Sequence, residues 1–109
     1  MNWRSGHRSP VADGEVLALS QEMTITRDAF LHSLPAAVDH VPYRDDGREI
    51  CADAAGARWR IVTTPMPELR IGLVRLARHR VEIFLTGYDE IRTRQFLDRF
   101  ELYFRRGGG

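Results

Sequence analysis

The sequence predicts an α+β fold: a two-layer sandwich in the order helix, four-stranded antiparallel meander, helix, with both helices on one sheet face. Three observations lead there. The segment YDEIRTRQFLDRFELYFRR repeats aromatic and aliphatic residues at helical spacing. ELRIGLVRL and RVEIFLTG alternate in the manner of half-buried strands. Glycine, proline and aspartate clusters separate these runs from one another.

Thr26 is a suitable N-cap for a first helix over residues 27–36, with Asp28 in the turn where the helix dipole favours an anion. Phe30, Leu31 and Leu34 give this helix one apolar edge, and Pro35 ends or kinks it. Asp39 to Gly47 is a loop, because Pro42, Asp45, Asp46 and Gly47 are turn residues. Strands follow at residues 48–53 and 57–64, joined through Gly56 as a hairpin, and Pro65 and Pro67 close the second of them. Strands at 69–76 and 80–87 are linked by Ala77-Arg78-His79. That link pairs Leu73 with Ile83 and Ile71 with Leu85, so both apolar sets share the core face; a loop one residue longer would flip one set.

The last helix spans residues 89–106. Phe96, Leu97, Phe100, Tyr103 and Phe104 fall on one stripe, Asp89 is the N-cap, and Gly107 is the terminator. Ile91 and Leu102 lie on the other side, either packed on a loop or as a small exposed apolar spot. Residues 1–22 mix Ser, Gly, Pro, Asp and Arg and read as a weakly ordered N-terminal arm, in which Val16 to Leu19 is short enough to be an edge strand or a docked extension. The domain proper is residues 23–106, and 107–109 form a flexible tail.

At 109 residues, with 43% hydrophobic and 28% charged content, the chain has the composition of one soluble domain. No run approaches the roughly 20 apolar residues of a membrane helix, and the N-terminal region has no signal-like apolar core. The single Cys51 excludes an internal disulfide. Together these favour a cytoplasmic protein without a membrane role. All 16 basic residues are arginine, but the net charge is only +1. The arginines are scattered, as coding bias alone would leave them, and the balance does not call for a polyanion.

The stretches ITRDAFLHSLPAAV and WRIVTTPMPELRIGLVRLARHRVEIFLTG, with a helix ending FELYFRRGGG, resemble a small group of bacterial proteins of unassigned function. The resemblance covers residues 24–109, and the terminal RRGGG is its most distinctive part. It implies a bacterial source. It implies no activity, cofactor or catalytic residue.

Chemistry-bearing residues do not converge. His7, His32, His40, His79 and Cys51 are far apart, with no CxxC or HxxxH spacing, so neither a metal nor a cofactor is expected. There is no lysine for a Walker loop and no GxGxxG. Asp39-His40 is an adjacent acid–imidazole pair, and Cys51 a lone thiol on a strand; neither has a constellation behind it, and the chain is not read as an enzyme.

What remains is the outer sheet face, read as carrying Arg58, Arg60, Arg70, Val74, Glu82 and Phe84. Arginine and aromatic residues among apolar ones characterise a non-obligate interface. The expected function is therefore an interaction or accessory module, with a protein partner or a second copy on that open face. The alternative is single-stranded nucleic-acid binding, with the arginines on phosphates and Phe84 stacking on a base.

Overall fold

The computed structural model describes residues 11–54 and 56–107. Residues 1–10 of the expected N-terminal arm, and Gly108 and Gly109 of the expected tail, lie outside the described residues. Two helices and five strands follow one another: β1 (Glu15–Met23), α1 (Arg27–Ala37), β2 (Arg44–Asp45), β3 (Glu49–Ala54), β4 (Ala57–Ile71), β5 (Val74–Thr86) and α2 (Glu90–Gly107). The strands form one sheet in the order β1-β5-β4-β3-β2, every neighbouring pair antiparallel.

The α+β class stands, but the sheet has five strands and not a four-stranded meander. Two strands are added, β1 and the two-residue β2 inside the expected Asp39 to Gly47 loop, while the three strands expected at 57–64, 69–76 and 80–87 are the two long strands β4 and β5. Residues 15–22, expected in a weakly ordered arm, run along β5 from Glu15 opposite Thr86 to Met23 opposite His79. A register shift between Leu17 and Leu19 inserts Ala18 as an extra residue. Of the two expectations for Val16 to Leu19, an edge strand or a docked extension, the edge strand holds; it extends to Met23, and the bulge breaks its period-two pattern.

The second difference is the β4–β5 turn. Ala77-Arg78-His79, expected as a hairpin link, lies inside β5; the chain reverses at Gly72-Leu73, between Ile71 and Val74, which pair directly. Gly72 has φ +60° and Leu73 is not among the residues of positive φ. A glycine in that region at the first of two loop positions is the type II′ arrangement, whose twist matches that of the flanking strands. The expected pairing of Leu73 with Ile83 is replaced by Ile61 opposite Ile83. Pro65 and Pro67 interrupt nothing. Beyond Val62 and Thr63, β4 has left β3 behind, and a proline on a free edge removes no ladder hydrogen bond.

The core lies between the helices and one face of the sheet. Phe30, Leu34 and Ala37 of α1 and Phe100 and Phe104 of α2 join Ile50, Ala52, Trp59, Ile61, Val81, Ile83 and Leu85 in one buried cluster. The helices meet through Phe30 and Phe104, stacked at 4.7 Å between ring centroids, with Phe100 4.5 Å from Phe104. Of the expected stripe on α2, Phe100 and Phe104 are buried and Phe96 and Leu97 partly buried, while Tyr103 is exposed. Thr26 caps α1, its Oγ1 accepting from the Ala29 N–H at 3.1 Å. Pro35 is retained within the last turn of that helix.

Candidate interaction surface

Residues directly opposite one another in the sheet share a face. Arg60 and Phe84 form such a pair, as do Val62 and Glu82, and Arg58 and Thr86; all alternate with the core residues Trp59, Ile61, Ile83 and Leu85. Arg58, Arg60, Glu82 and Phe84 therefore do lie on the face away from the helices. That face is not open. Phe84 is 0% exposed, and Val62 and Glu82 are 1% exposed.

Arg60 organises this region. Its guanidinium lies 4.1 Å from the centroid of the Phe84 ring. Nε and Nη2 donate to the two carboxylate oxygens of Glu15, each at 2.9 Å, and Nη1 lies 3.4 Å from Glu49 Oε2. The Glu15 side chain is 5% exposed and that of Arg60 13%. The hydrogen bonds from Arg60 hold the Glu15 carboxyl below its ordinary range, and Glu15 in turn raises the guanidinium. These side chains are committed to joining β1, β4 and β3. Arg58 is exposed but donates to Asp53 at 3.1 Å.

Arg70 falls elsewhere. Between Met66 and Leu69 the β4–β5 register shifts by one residue, so that Pro67 and Glu68 together oppose Ala77. One extra residue inverts the alternation of everything that follows. Leu69 and Ile71, expected to face the core, instead pair with Leu76 and Val74 on the face that continues from Val62 and Phe84, and Arg70 and Arg75 oppose each other on the reverse face. Of the six residues expected on one surface, only Val74 is both on that face and exposed without an ion pair.

The described sheet nevertheless has an exposed apolar surface, at the far end of the same hairpin. Beyond Thr63 on β4 and His79 on β5 no third strand among the described residues flanks the pair, which continues as a two-stranded arm. Leu69 is 38% exposed, Ile71 60%, Val74 53%, and Leu73 at the turn 103%. Sequence reading found these residues but assigned Leu69, Ile71 and Leu73 to the core. The signals for the arm were Gly72 between two apolar residues and the proline pair that marks a free strand edge.

The remaining candidates stay apart. Asp39 and His40 are exposed at the end of α1, and Cys51 is half-buried on β3, its Sγ 3.4 Å from Arg44 Nη2. Asp39 lies 3.4 Å from Arg99 and not beside the thiol. Among the described residues no three His, Cys, Asp or Glu side chains are grouped to hold a metal ion, and no helix is long and apolar enough to cross a membrane. Compared with known proteins, the chain matches no family model, no curated protein and no solved structure. Any functional reading therefore rests on this chain's own surfaces.

Proposed function

We propose that the chain is a non-enzymatic interaction module, docking through the apolar face of the β4–β5 arm onto a second copy of itself. The observation that carries this reading is the exposure of Leu69, Ile71, Leu73 and Val74 together at one end of a ribbon. Covering four such side chains is worth roughly 4–8 kcal/mol per copy. Two arms together then supply roughly 8–16 kcal/mol, comparable with the about 4–15 kcal/mol that association costs. A two-fold axis through the ribbon sets the same apolar face against itself, as an isologous interface requires. Arg70 and Arg75 then point outward on the reverse face, and a net charge of +1 per copy opposes the approach only weakly. The setting that suits such a module is cytoplasmic, in keeping with a lone, unbridged cysteine.

Light scattering on the purified protein tests this. The expected result is a dimer at tens of micromolar that Ile71→Thr combined with Leu73→Ser converts to a folded monomer. A wild-type chain that remains monomeric at about 100 μM, a concentration where even a weak dimer is populated, sinks the reading.

A second reading has its own observation. Arg70 stands directly opposite Arg75, and like charges in that position repel unless an anion lies between them. A nucleic-acid backbone would supply one. This alternative predicts salt-dependent binding of a single-stranded oligonucleotide that Arg70→Gln with Arg75→Gln removes, while leaving the mass in solution unchanged.

A further inference from the structure

A cavity of ≈ 250 Å³ opens between the end of α1, the first three turns of α2 and β4. Its floor is aromatic. Trp59, 1% exposed, lies 6.1 Å from Phe96 between centroids, and Phe96 meets Tyr88 edge-on at 5.8 Å. Its rim is polar and comes from one side of α2, where Arg92, Gln95 and Arg99 recur with Phe96 at positions i, i+3, i+7 and i+4. A concave pocket lined by aromatic and aliphatic side chains, with a few convergent polar groups, is the usual form of a small-molecule site.

The two arginines at the rim differ. Arg99 is occupied: its Nε donates to the Ala36 carbonyl at 2.8 Å and its Nη2 lies 3.4 Å from Asp39. Arg92 has no carboxylate within ion-pair distance among the described residues. Its guanidinium stacks 4.8 Å from the centre of the Tyr88 ring. Stacking holds the group flat and leaves its in-plane N–H donors for a second partner.

Backbone strain at the mouth points the same way. The end of α1 closes with the His40 N–H donating to Pro35 O at 2.8 Å and the Asp39 N–H to Ala36 O at 3.3 Å. This is the Schellman pattern, in which Asp39 occupies the left-handed position that glycine normally fills. Asp39 has φ +57° and His40 φ +58°. Two successive non-glycine residues in that region are retained at a cost in stability. The return is positional, since the Asp39 carboxylate sits at the cavity edge and neutralises Arg99. Only Arg92 is left to balance a ligand's charge.

We propose that this cavity binds a small aromatic monocarboxylate, its ring on Trp59 and Phe96 and its carboxylate on Arg92. The ring matches the floor. The single negative charge matches the one rim guanidinium that has no carboxylate partner among the described residues, and a planar carboxylate fits the two-pronged donor geometry of arginine. The volume falls just under the range of about 300–1,000 Å³ typical of drug-sized ligands, which limits the occupant to one ring system. A second cavity of ≈ 380 Å³ beside Val16 and Leu97 is larger, but its one arginine, Arg94, is outnumbered by Asp89 and Glu90 at the start of α2, which disfavour an anion.

Trp59 is the reporter. Trp3→Phe leaves it as the only tryptophan in the chain. In that background, benzoate, phenylacetate and indole-3-acetate are titrated while Trp59 emission and backbone amide shifts are followed. The expected result is saturable binding of at least one acid, with amide shifts at Arg92, Gln95 and Phe96. Arg92→Gln weakens that binding at least tenfold with an unchanged melting temperature, and benzamide, the neutral analogue, binds at least tenfold more weakly than benzoate. The proposal is overturned if none of the three acids shifts Trp59 or these amides at about 10 mM, where even a millimolar site is mostly filled. It is equally overturned if Arg92→Gln binds as tightly as the parent, or if inorganic phosphate competes as well as the acids do.

Discussion

Arg60 on β4 reaches Glu15 on β1 across the whole width of β5, its guanidinium lying over the Phe84 ring. Two strands that never touch are tied together through a third. Glu15 lies 45 residues before Arg60 in the chain.

This tie predicts a pH dependence. Arg60 lowers the Glu15 carboxyl in the folded state, Arg27 does the same to Asp45, and the Arg48 and Glu49 N–H groups do so to Asp46. Carboxylates with lowered folded pKa values bind more protons when unfolded. Their contribution is complete above the unfolded range of about 4 and is lost as the pH falls through it to the folded values. Melting temperature is therefore expected to hold from neutrality to about pH 5 and to drop steeply below pH 4. Glu15→Gln leaves Arg60 without its best partner. We expect a loss of about 2–4 kcal/mol at neutral pH, under the range for a fully buried pair because Arg60 keeps some solvent contact. The gap to the wild type should close at low pH in urea titrations.

Phe100 is 0% exposed and contacts both Phe30 and Phe104. Phe100→Ala should destabilise by about 3–5 kcal/mol, from lost burial plus the cavity left behind. Tyr103→Ala, one helical turn away and 37% exposed, should change stability by less than about 1 kcal/mol. Equal effects from the two substitutions in chemical denaturation would contradict the observed orientation of α2.

Asp39→Gly should stabilise the fold. Glycine removes the left-handed penalty, and the exposed ion pair to Arg99 that it sacrifices contributes little. The expected gain is about 0.5–1 kcal/mol, read as a rise of a few degrees in melting temperature.

Deleting residues 1–22 should be strongly destabilising, because β1 supplies Glu15 and the flank of β5 from Arg80 to Thr86. We expect a loss of several kcal/mol, or no cooperative melt at all. A truncated chain that melts like the full one would show that the edge strand adds nothing to the sheet.

These elements differ in how legible they are from sequence. Both helices are written locally: Thr26 and Asp28 begin α1, and the Phe100–Phe104 spacing orients α2. The hairpin of β3 and β4 is equally local, with Gly56 at its turn. What escaped prediction depends on tertiary context. Pro65 and Pro67 stop a strand only where a neighbouring strand needs the N–H that proline lacks, and among the described residues no such neighbour stands there. The bulge at Pro67 and Glu68 changes the count by one, which transfers Arg70 and Leu69 to opposite faces. Glu82 and Phe84 read as surface because they alternate with core residues, yet both are buried. The rim of the α2 cavity was hidden for a related reason: Arg92, Gln95 and Arg99 belong to the polar side of the helix, and only the end of α1 turns that side into a pocket.

The two-residue turn at Gly72-Leu73 also bears on the order in which the chain assembles. β4 and β5 pair outward from that reversal by local steps, so the hairpin needs almost no loop closure and can act as the folding nucleus. β1 joins β5 only after α1, β2, β3 and β4 have been gathered between them. The same strand is then the first to leave, and native-state amide exchange at Leu17 and Leu19 should run ahead of exchange at Ile61 and Ile83.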